Sequence, residues 1–333
     1  MTQRKKIMIT HPWLGWPYAR QTPMESCQWD DCDFFINTPL RECDAWFVLD
    51  CLPQAQTTCC PRNKVFFIAL EPQDICGYNK KFTDQFYKIL ACNDTISHPR
   101  KKTGCLGLPW HAGVKRSNNQ IVHTYDDLAS MPFPQKQKTL STVCSGKNWS
   151  SGHRNRLAFT KAAQRTLTNQ IEVFGEFFKP VDDKWDAIIP YKYHLAIENS
   201  SHANYWTEKL ADAYLGYSMP IYWGCTNISD FFPKNAYISI DVTNIKSGLK
   251  KLEEIIHKDL TESQKDAISQ ARNMVLHKYN TFSILDSLAS EQADETHETI
   301  TLNPGKNIAS QRAFTTKQKI RNLIRNGIHI PAK

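Results

Sequence analysis

No apolar run in this chain approaches the ~18 residues that a membrane-spanning helix needs, so a spanning helix is excluded. The amino terminus lacks the apolar core of an export signal, because Thr2-Gln3-Arg4-Lys5-Lys6 leads only into Ile7-Met8-Ile9. No paired C-x-x-C spacing occurs among the eleven cysteines, so Cys27, Cys32, Cys43 and the Cys59-Cys60 pair make a poor zinc set. Their odd number and the missing export signal argue against a disulfide scaffold, and free thiols in a reducing compartment are expected. There is no internal repeat, and the only Asp-x-Asp is Asp31-Cys32-Asp33. The formal charge of +8 is not gathered in one block; it is spread along the chain, denser at 100–102 and 312–325. It does not single out a nucleic-acid partner, since a mildly basic protein also suits a nucleotide diphosphate or an acidic membrane surface.

What is present is enough apolar sequence for two cores: 41% hydrophobic residues in a chain of 333. The first half reads as α/β with short strands at Lys6–Thr10, Phe34–Asn37, Ala45–Asp50 and Val65–Leu70, and a helix or long turn over Phe82–Leu90. Loops rich in Trp, Pro and Cys lie between them, at Pro12–Pro23 and Cys51–Pro61. Residues 112–137 are polar, contain Pro132 and Pro134, and read as a linker. A strand over Thr139–Cys144, a Gly/Ser/Asn loop and a helix from about His153 open the second half, with helices at Ser247–His257 and Thr261–Tyr279 further on. The expected organisation is an amino-terminal α/β domain at 1–125, a second α/β domain at 138–290, and a partly helical, basic tail at 291–333. Ile320, Leu323, Ile324 and Ile328 of that tail share one face, which suits an anionic membrane or packing back on the domain.

Residues 191–224, YKYHLAIENSSHANYWTEKLADAYLGYSMPIYWG, are the most informative stretch. Apolar runs at Tyr193–Ile197 and Pro220–Trp223 suit buried strands. Between them Thr207 can cap a helix whose apolar positions Leu210, Ala213, Tyr214 and Tyr217 recur at helical spacing. Strand, polar loop, helix and strand make a βαβ unit, and ligands of such sheets sit beyond the carboxyl ends of strands, where Glu198 and Asn199 fall. The helix start offers free N–H groups to an anion. Lys209 in its first turn, a poor place for a cation on dipole grounds, points to a bound phosphate.

The same residues resemble the signature of the α1,3/4-fucosyltransferases of glycosyltransferase family 10, roughly F-x-L-x-F-E-N-S, then Y-x-T-E-K, then a small-residue helix ending in a Pro-containing strand and Gly. Here stand Tyr193-His194-Leu195-Ala196-Ile197-Glu198-Asn199-Ser200, Tyr205-Trp206-Thr207-Glu208-Lys209, Gly216, Pro220 and Gly224, followed by Asp230-Phe231-Phe232-Pro233 and Ala236–Asp241. The resemblance implies a GT-B fold, two Rossmann-like α/β domains facing across a cleft. It implies an inverting enzyme that moves L-fucose from GDP-fucose to GlcNAc of an N-acetyllactosamine-type glycan in α1,3 linkage. No cofactor is required; the reaction is metal-independent, or only stimulated by Mn²⁺ or Mg²⁺. Glycan or lipopolysaccharide biosynthesis and protein glycosylation are the settings it implies. Without an amino-terminal anchor the chain resembles bacterial members, expected in the cytoplasm and peripherally on the inner face of the membrane. The alternatives are a GT-B transferase with another nucleotide sugar or acceptor, and a non-catalytic nucleic-acid or glycan-binding protein.

The resemblance also implies roles. The donor site is expected to take Ser145, Lys147, Arg154, Arg156, Glu198, Asn199, Ser200, Tyr205, Thr207, Glu208 and Lys209. Arg154, three residues before Leu157 as in the family pattern, is the expected diphosphate ligand, with Arg156 as the other candidate; Asn does not follow Ser145 as it does there. Glu198 is open between touching substrate and bracing its loop. The base is expected from the other domain: Glu71 closes an apolar strand, and Ala69-Leu70-Glu71-Pro72 resembles the family's L-E-S-P segment without its serine. An apolar wall there would raise the carboxyl pKa and make it a better base; Asp74 is the fallback. The acceptor surface is expected to include Trp13, Trp16 and Tyr18, with Trp110 and His111.

Overall fold

The computed structural model describes residues 4–292 and 296–305. Strands β1 (Lys5–Thr10), β2 (Gln28–Trp29), β3 (Cys32–Ile36) and β4 (Ala45–Leu49) begin the chain. They are followed by β5 (Gln56–Pro61), β6 (Val65–Ala69), β7 (Lys88–Ala91) and β8 (Lys101–Lys102), with helix α1 (Lys80–Thr83) before β7. All but β5 join one sheet of order β2-β3-β1-β4-β6-β7-β8, parallel except for the β2–β3 pair. The apolar runs AWFVL and VFFIA form its centre because a parallel strand covered on both faces has no polar side. Alternate residues divide between two cores: Phe47, Phe66 and Ile68 on one face, Trp46, Val48 and Phe67 on the other.

After helix α2 (Tyr125–Ser130), a second sheet is built from β9 (Lys138–Val143), β10 (Ile171–Phe174), β11 (Tyr191–Ile197), β12 (Met219–Trp223) and β13 (Ile238–Ser239). Its order is β10-β9-β11-β12-β13, parallel throughout. Helices α3 (Ser151–Thr166) and α5 (Ile245–Ile256) pack on one face through Phe159 and Leu252. Helices α4 (Glu208–Leu215) and α6 (Glu262–Asn273) pack on the other through Leu210, Tyr214 and Ala271. The expected βαβ unit is β11-α4-β12, with Leu195 opposite Ile221. Two Rossmann-like units with their strand ends turned to one another are the GT-B arrangement.

Some elements differ from expectation. The Phe82–Leu90 segment divides into α1 and β7, whose Ile89 and Leu90 pair with Phe67 and Ile68 of β6. β5 rises from the Cys51–Pro61 loop and pairs antiparallel with β14 (His297–Leu302), which lies in the segment expected as tail. Helix α7 (Thr281–Ala289), expected in the second unit, packs on the first sheet, where Phe282, Leu285 and Leu288 join Phe34 and Ile7. Its apolar positions find there the face that no helix of the first half covers. Residues 112–137 are no free linker: Leu128 of α2 is buried, and the Arg20 guanidinium donates to the carbonyls of Trp110, Ala112 and His123. None of the eleven cysteines is in a disulfide. The basic tail positions Ile320, Leu323, Ile324 and Ile328 lie outside the described residues.

Candidate active site

The carboxyl end of β11 and the start of α4 are held together by one carboxylate. Glu198 is 0% exposed and accepts hydrogen bonds from the Thr207 N–H (2.8 Å) and the Thr207 hydroxyl (2.7 Å). Lys209 Nζ lies 3.2 Å from the same carboxylate and 3.2 Å from Glu208. Gly224, after β12, allows this closeness, because a Cβ there would stand 2.3 Å from Glu198 Cγ. Glu198, open between substrate and brace, and Thr207, expected among donor ligands, are thus turned onto each other: both carboxylate oxygens of Glu198 accept from Thr207, and the Thr207 hydroxyl also accepts from Lys209. Nor does the first-turn lysine require a bound anion. Burial presses Lys209 down, but Glu198 and Glu208 outweigh it and raise its pKa, so the two carboxylates already account for its place. Burial pushes the Glu208 carboxyl up, yet Lys209, Lys184 and His111 hold it well below the usual range.

Helix α3 starts against this loop. Ser150 caps it by accepting from the His153 N–H, and Gly152 sits so close to the Asn199 carbonyl that a Cβ would come to 1.9 Å. One turn on, Arg156 is only 5% exposed and donates to Ser145 Oγ (3.0 Å) and to Asn199 Oδ1. Its Nε is buried without a partner, as is the hydroxyl of neighbouring Ser200. Arg154 is exposed and curls back onto the carbonyls of Asn148 (3.4 Å) and Trp149 (3.1 Å). The expected preference between the two arginines is thus reversed, for a helix turns 100° per residue and only position 156 shares the Gly152 face. Burial pushes the His153 imidazole down to about 3, and Arg156, Lys147 and Lys209 push it further in the same direction. Arg156, Lys147 and Lys209 thus all act on one imidazole at the start of α3.

From the first sheet, Glu71 comes two residues beyond β6 and is partly buried. Burial raises its carboxyl to about 8; Asp50 and Glu208 raise it, while Lys209 and Lys147 pull it down. Glu208, Lys209 and Lys147, all of the second unit, are thus among the charges that act on this carboxyl. Tyr205 crosses in the opposite direction: it is buried in the core of the first unit, and the charge of Glu71 adds to burial in raising its phenol. Asp74, the fallback base, is engaged elsewhere, with Oδ2 2.7 Å from His202 Nε2, while Gln73 meets the other nitrogen of that ring at 3.2 Å. This clasp ties the Glu71 loop to the Glu198–Thr207 loop.

The aromatic residues divide. Trp16 and His111 pack ring on ring at 4.9 Å, both partly exposed, with His111 Nδ1 3.8 Å from Glu208. Trp13 stacks on His11 at 5.9 Å. Trp110 is 1% exposed and Tyr18 equally buried, so these two are core and not acceptor surface. Asp31-Cys32-Asp33 lies at the far edge of the first sheet, with Asp33 paired to Arg4 and Cys32 to Asp286 of α7.

Sequence reasoning missed Asp50, Tyr78, Lys184 and His202. Asp50 had a legible signal, since it closes β4 as Glu71 closes β6; the others belong to no pattern of spacing.

Residues 133–264 match the family model described as Glycosyltransferase family 10 (fucosyltransferase) C-term. The rat 4-galactosyl-N-acetylglucosaminide 3-alpha-L-fucosyltransferase 9 is 30% identical over 144 residues, 40% of this chain and 39% of its own length. The alpha-(1,3)-fucosyltransferase FucT of Helicobacter pylori is 33% identical over 167 residues, 49% of this chain and 34% of its own. The chain therefore spans less than two fifths of the length of either relative. A crystal structure of an alpha1,3-fucosyltransferase aligns with 81% of this chain and 80% of its own, at 16% identity and a TM-score of 0.48. The match covers β9 through α5, including the Arg156, Glu198 and Lys209 cluster, so this stretch of the chain is similar to the carboxy-terminal domain of glycosyltransferase family 10, the fucosyltransferases.

Proposed function

We propose that this protein is an inverting α1,3-fucosyltransferase that moves L-fucose from GDP-fucose to the GlcNAc of an N-acetyllactosamine-type glycan. The observation that carries the reading is the clasp of Asp74 and Gln73 on His202, which sets the Glu71 loop against the Glu198–Thr207 loop, where Lys209 and Lys147 act on the Glu71 carboxyl. Arg156, Lys147 and Lys209 are the groups for the diphosphate: cations at helix starts neutralise the charge that develops on a leaving phosphate. Arg156 is held by Ser145 and Asn199 so that its free Nε and remaining N–H groups are pre-oriented. Glu71 takes the proton from the acceptor hydroxyl as its oxygen bonds to the sugar's anomeric carbon. The bond from that carbon to the phosphate oxygen breaks on the far side, GDP leaves with the electron pair, and the configuration inverts. Trp16 and His111, beside Glu208, offer a sugar-stacking wall at the mouth.

A screen of glycan acceptors with GDP-fucose, followed by linkage analysis, tests the reading. Fucose in α1,3 linkage is expected, and transfer is expected to continue in EDTA because three side-chain cations occupy the phosphate end. Glu71→Gln should lower transfer by roughly 10² to 10⁴ while GDP still binds. Transfer from another nucleotide sugar in place of GDP-fucose would overturn the donor assignment, and full activity of Glu71→Gln would remove the base.

A further inference from the structure

Asp50 is a buried carboxylate that the transfer reaction just described leaves without a task. It stands one residue beyond β4, in the left-handed region at φ 63°, with its N–H donating to the Ile68 carbonyl of β6 at 2.8 Å. It is 8% exposed, and the Tyr78 hydroxyl donates to its Oδ1 at 2.5 Å. The same hydroxyl accepts a long hydrogen bond, 3.4 Å, from the backbone N–H of Glu71. Asn93, two residues beyond β7, closes the far side by donating to the carbonyls of Glu71 (3.3 Å) and Cys76 (2.8 Å). Three neighbouring strand ends thus fix one loop, and they place a second carboxylate beside Glu71.

We infer that Asp50 is the positioning residue for Glu71, a second carboxylate linked to it through the Tyr78 hydroxyl that keeps Glu71 a strong proton acceptor. This rests on the proposed base role of Glu71. A negative charge nearby disfavours ionisation of its neighbour, so the neighbouring carboxylate binds a proton more tightly. After burial, Asp50 is the foremost influence on Glu71 in that direction; Glu208 adds to it, and Lys209 and Lys147 oppose it. Tyr205 and Tyr78 are the remaining titratable groups that face Glu71. Asp50 itself is faced by Tyr78, Tyr18 and Cys51. Burial raises the Asp50 carboxyl, and the Tyr78 hydrogen bond opposes that rise by favouring the ionised form.

Asp50→Asn keeps the shape and suits the same left-handed backbone, so the charge alone is removed. The readout is the titration of the Glu71 carboxyl by carbon NMR of ¹³C-glutamate-labelled full-length protein, its signal identified by its absence in Glu71→Gln. In Asp50→Asn the midpoint should move to lower pH by about one pH unit. In Tyr78→Phe it should move in the same direction by less, because Asp50 then stays protonated to a higher pH. The acid limb of kcat/KM for fucosyl transfer should follow the midpoint in both variants. A Glu71 midpoint unchanged in both would overturn the inference. A midpoint that moves while the rate profile stays fixed supports the coupling and overturns the base role instead. Asp50→Glu, which restores the charge, should return the midpoint toward that of the native protein; failure to do so when the variant is folded would also count against the coupling.

Discussion

At the scale of single residues, the site turns on which of two arginines enters it. Arg154 and Arg156 are two apart on a helix, and two residues turn the side chain by about 200°. Arg156 is therefore buried against Asn199 and Ser145, while Arg154 spends its hydrogen bonds on the loop that precedes the helix. Arg156→Ala removes one of the three cations proposed for the diphosphate end. It should weaken GDP at least tenfold by calorimetry, the value of one to two charge-assisted hydrogen bonds at about 1.5–3 kcal/mol each. Arg154→Ala should change GDP affinity less than threefold, as exposed charges contribute about 0–1 kcal/mol. The reverse order of effects would restore Arg154 as the ligand. Sequence spacing led to Arg154 because distance to Leu157 was the only ruler available. The decisive fact, that Gly152 seats this helix on Asn199, is a contact between segments 47 positions apart and is written in neither of them.

At the scale of elements, the β11-α4-β12 unit was legible in full, since two apolar runs, a capping threonine and helical spacing all point to one answer. β7 and β14 were not. The KILA of β7 is too short to separate from a helix by period, and HETITL is exposed on alternate positions until it meets β5. Helix α7 lies beyond the last stretch read as helical, and even an apolar face says only that it must be covered, not by which sheet. Within the legible unit Glu198 braces its loop, one of the two tasks its position left open. As a brace, it pairs a buried lysine and both polar groups of the helix cap. Glu198→Ala should destabilise the fold by about 3 kcal/mol, the usual cost of breaking a buried ion pair, and should weaken GDP binding with it. Thr207→Ala, which removes the cap, should cost about 1 kcal/mol. Denaturant midpoints measure both. A Glu198→Ala protein of native stability that has lost only GDP affinity would identify Glu198 as a donor ligand after all.

At the scale of the whole molecule, the Glu71 carboxyl of the first unit lies under the influence of Lys209 and Lys147 of the second. The first unit also receives Tyr205 into its core and sends Asp74 and Gln73 to His202, so the cleft is fixed on both sides of the Glu71 loop. This has a consequence for nucleotide binding that no single unit could produce. With its carboxyl raised to about 8, Glu71 is mostly protonated at pH 7 and mostly ionised at pH 9. An ionised Glu71 repels the diphosphate, and a protonated one does not, so GDP binds the protonated form more tightly. By reciprocity, bound GDP raises the Glu71 carboxyl further. The affinity of GDP should therefore fall as pH rises through about 8, by roughly three- to tenfold for an interaction of about 1 kcal/mol. The phosphates themselves are already ionised above pH 7, where the second ionisation near ~6 is complete. Lys209 is held charged across the same range by Glu198 and Glu208, so it adds no slope. Calorimetric titrations of GDP between pH 7 and 8.5 should show the decline in the native protein and a flat profile in Glu71→Gln. If both proteins give the same curve, the carboxyl of one unit does not sense the nucleotide held by the other, and the two do not share a cleft in solution.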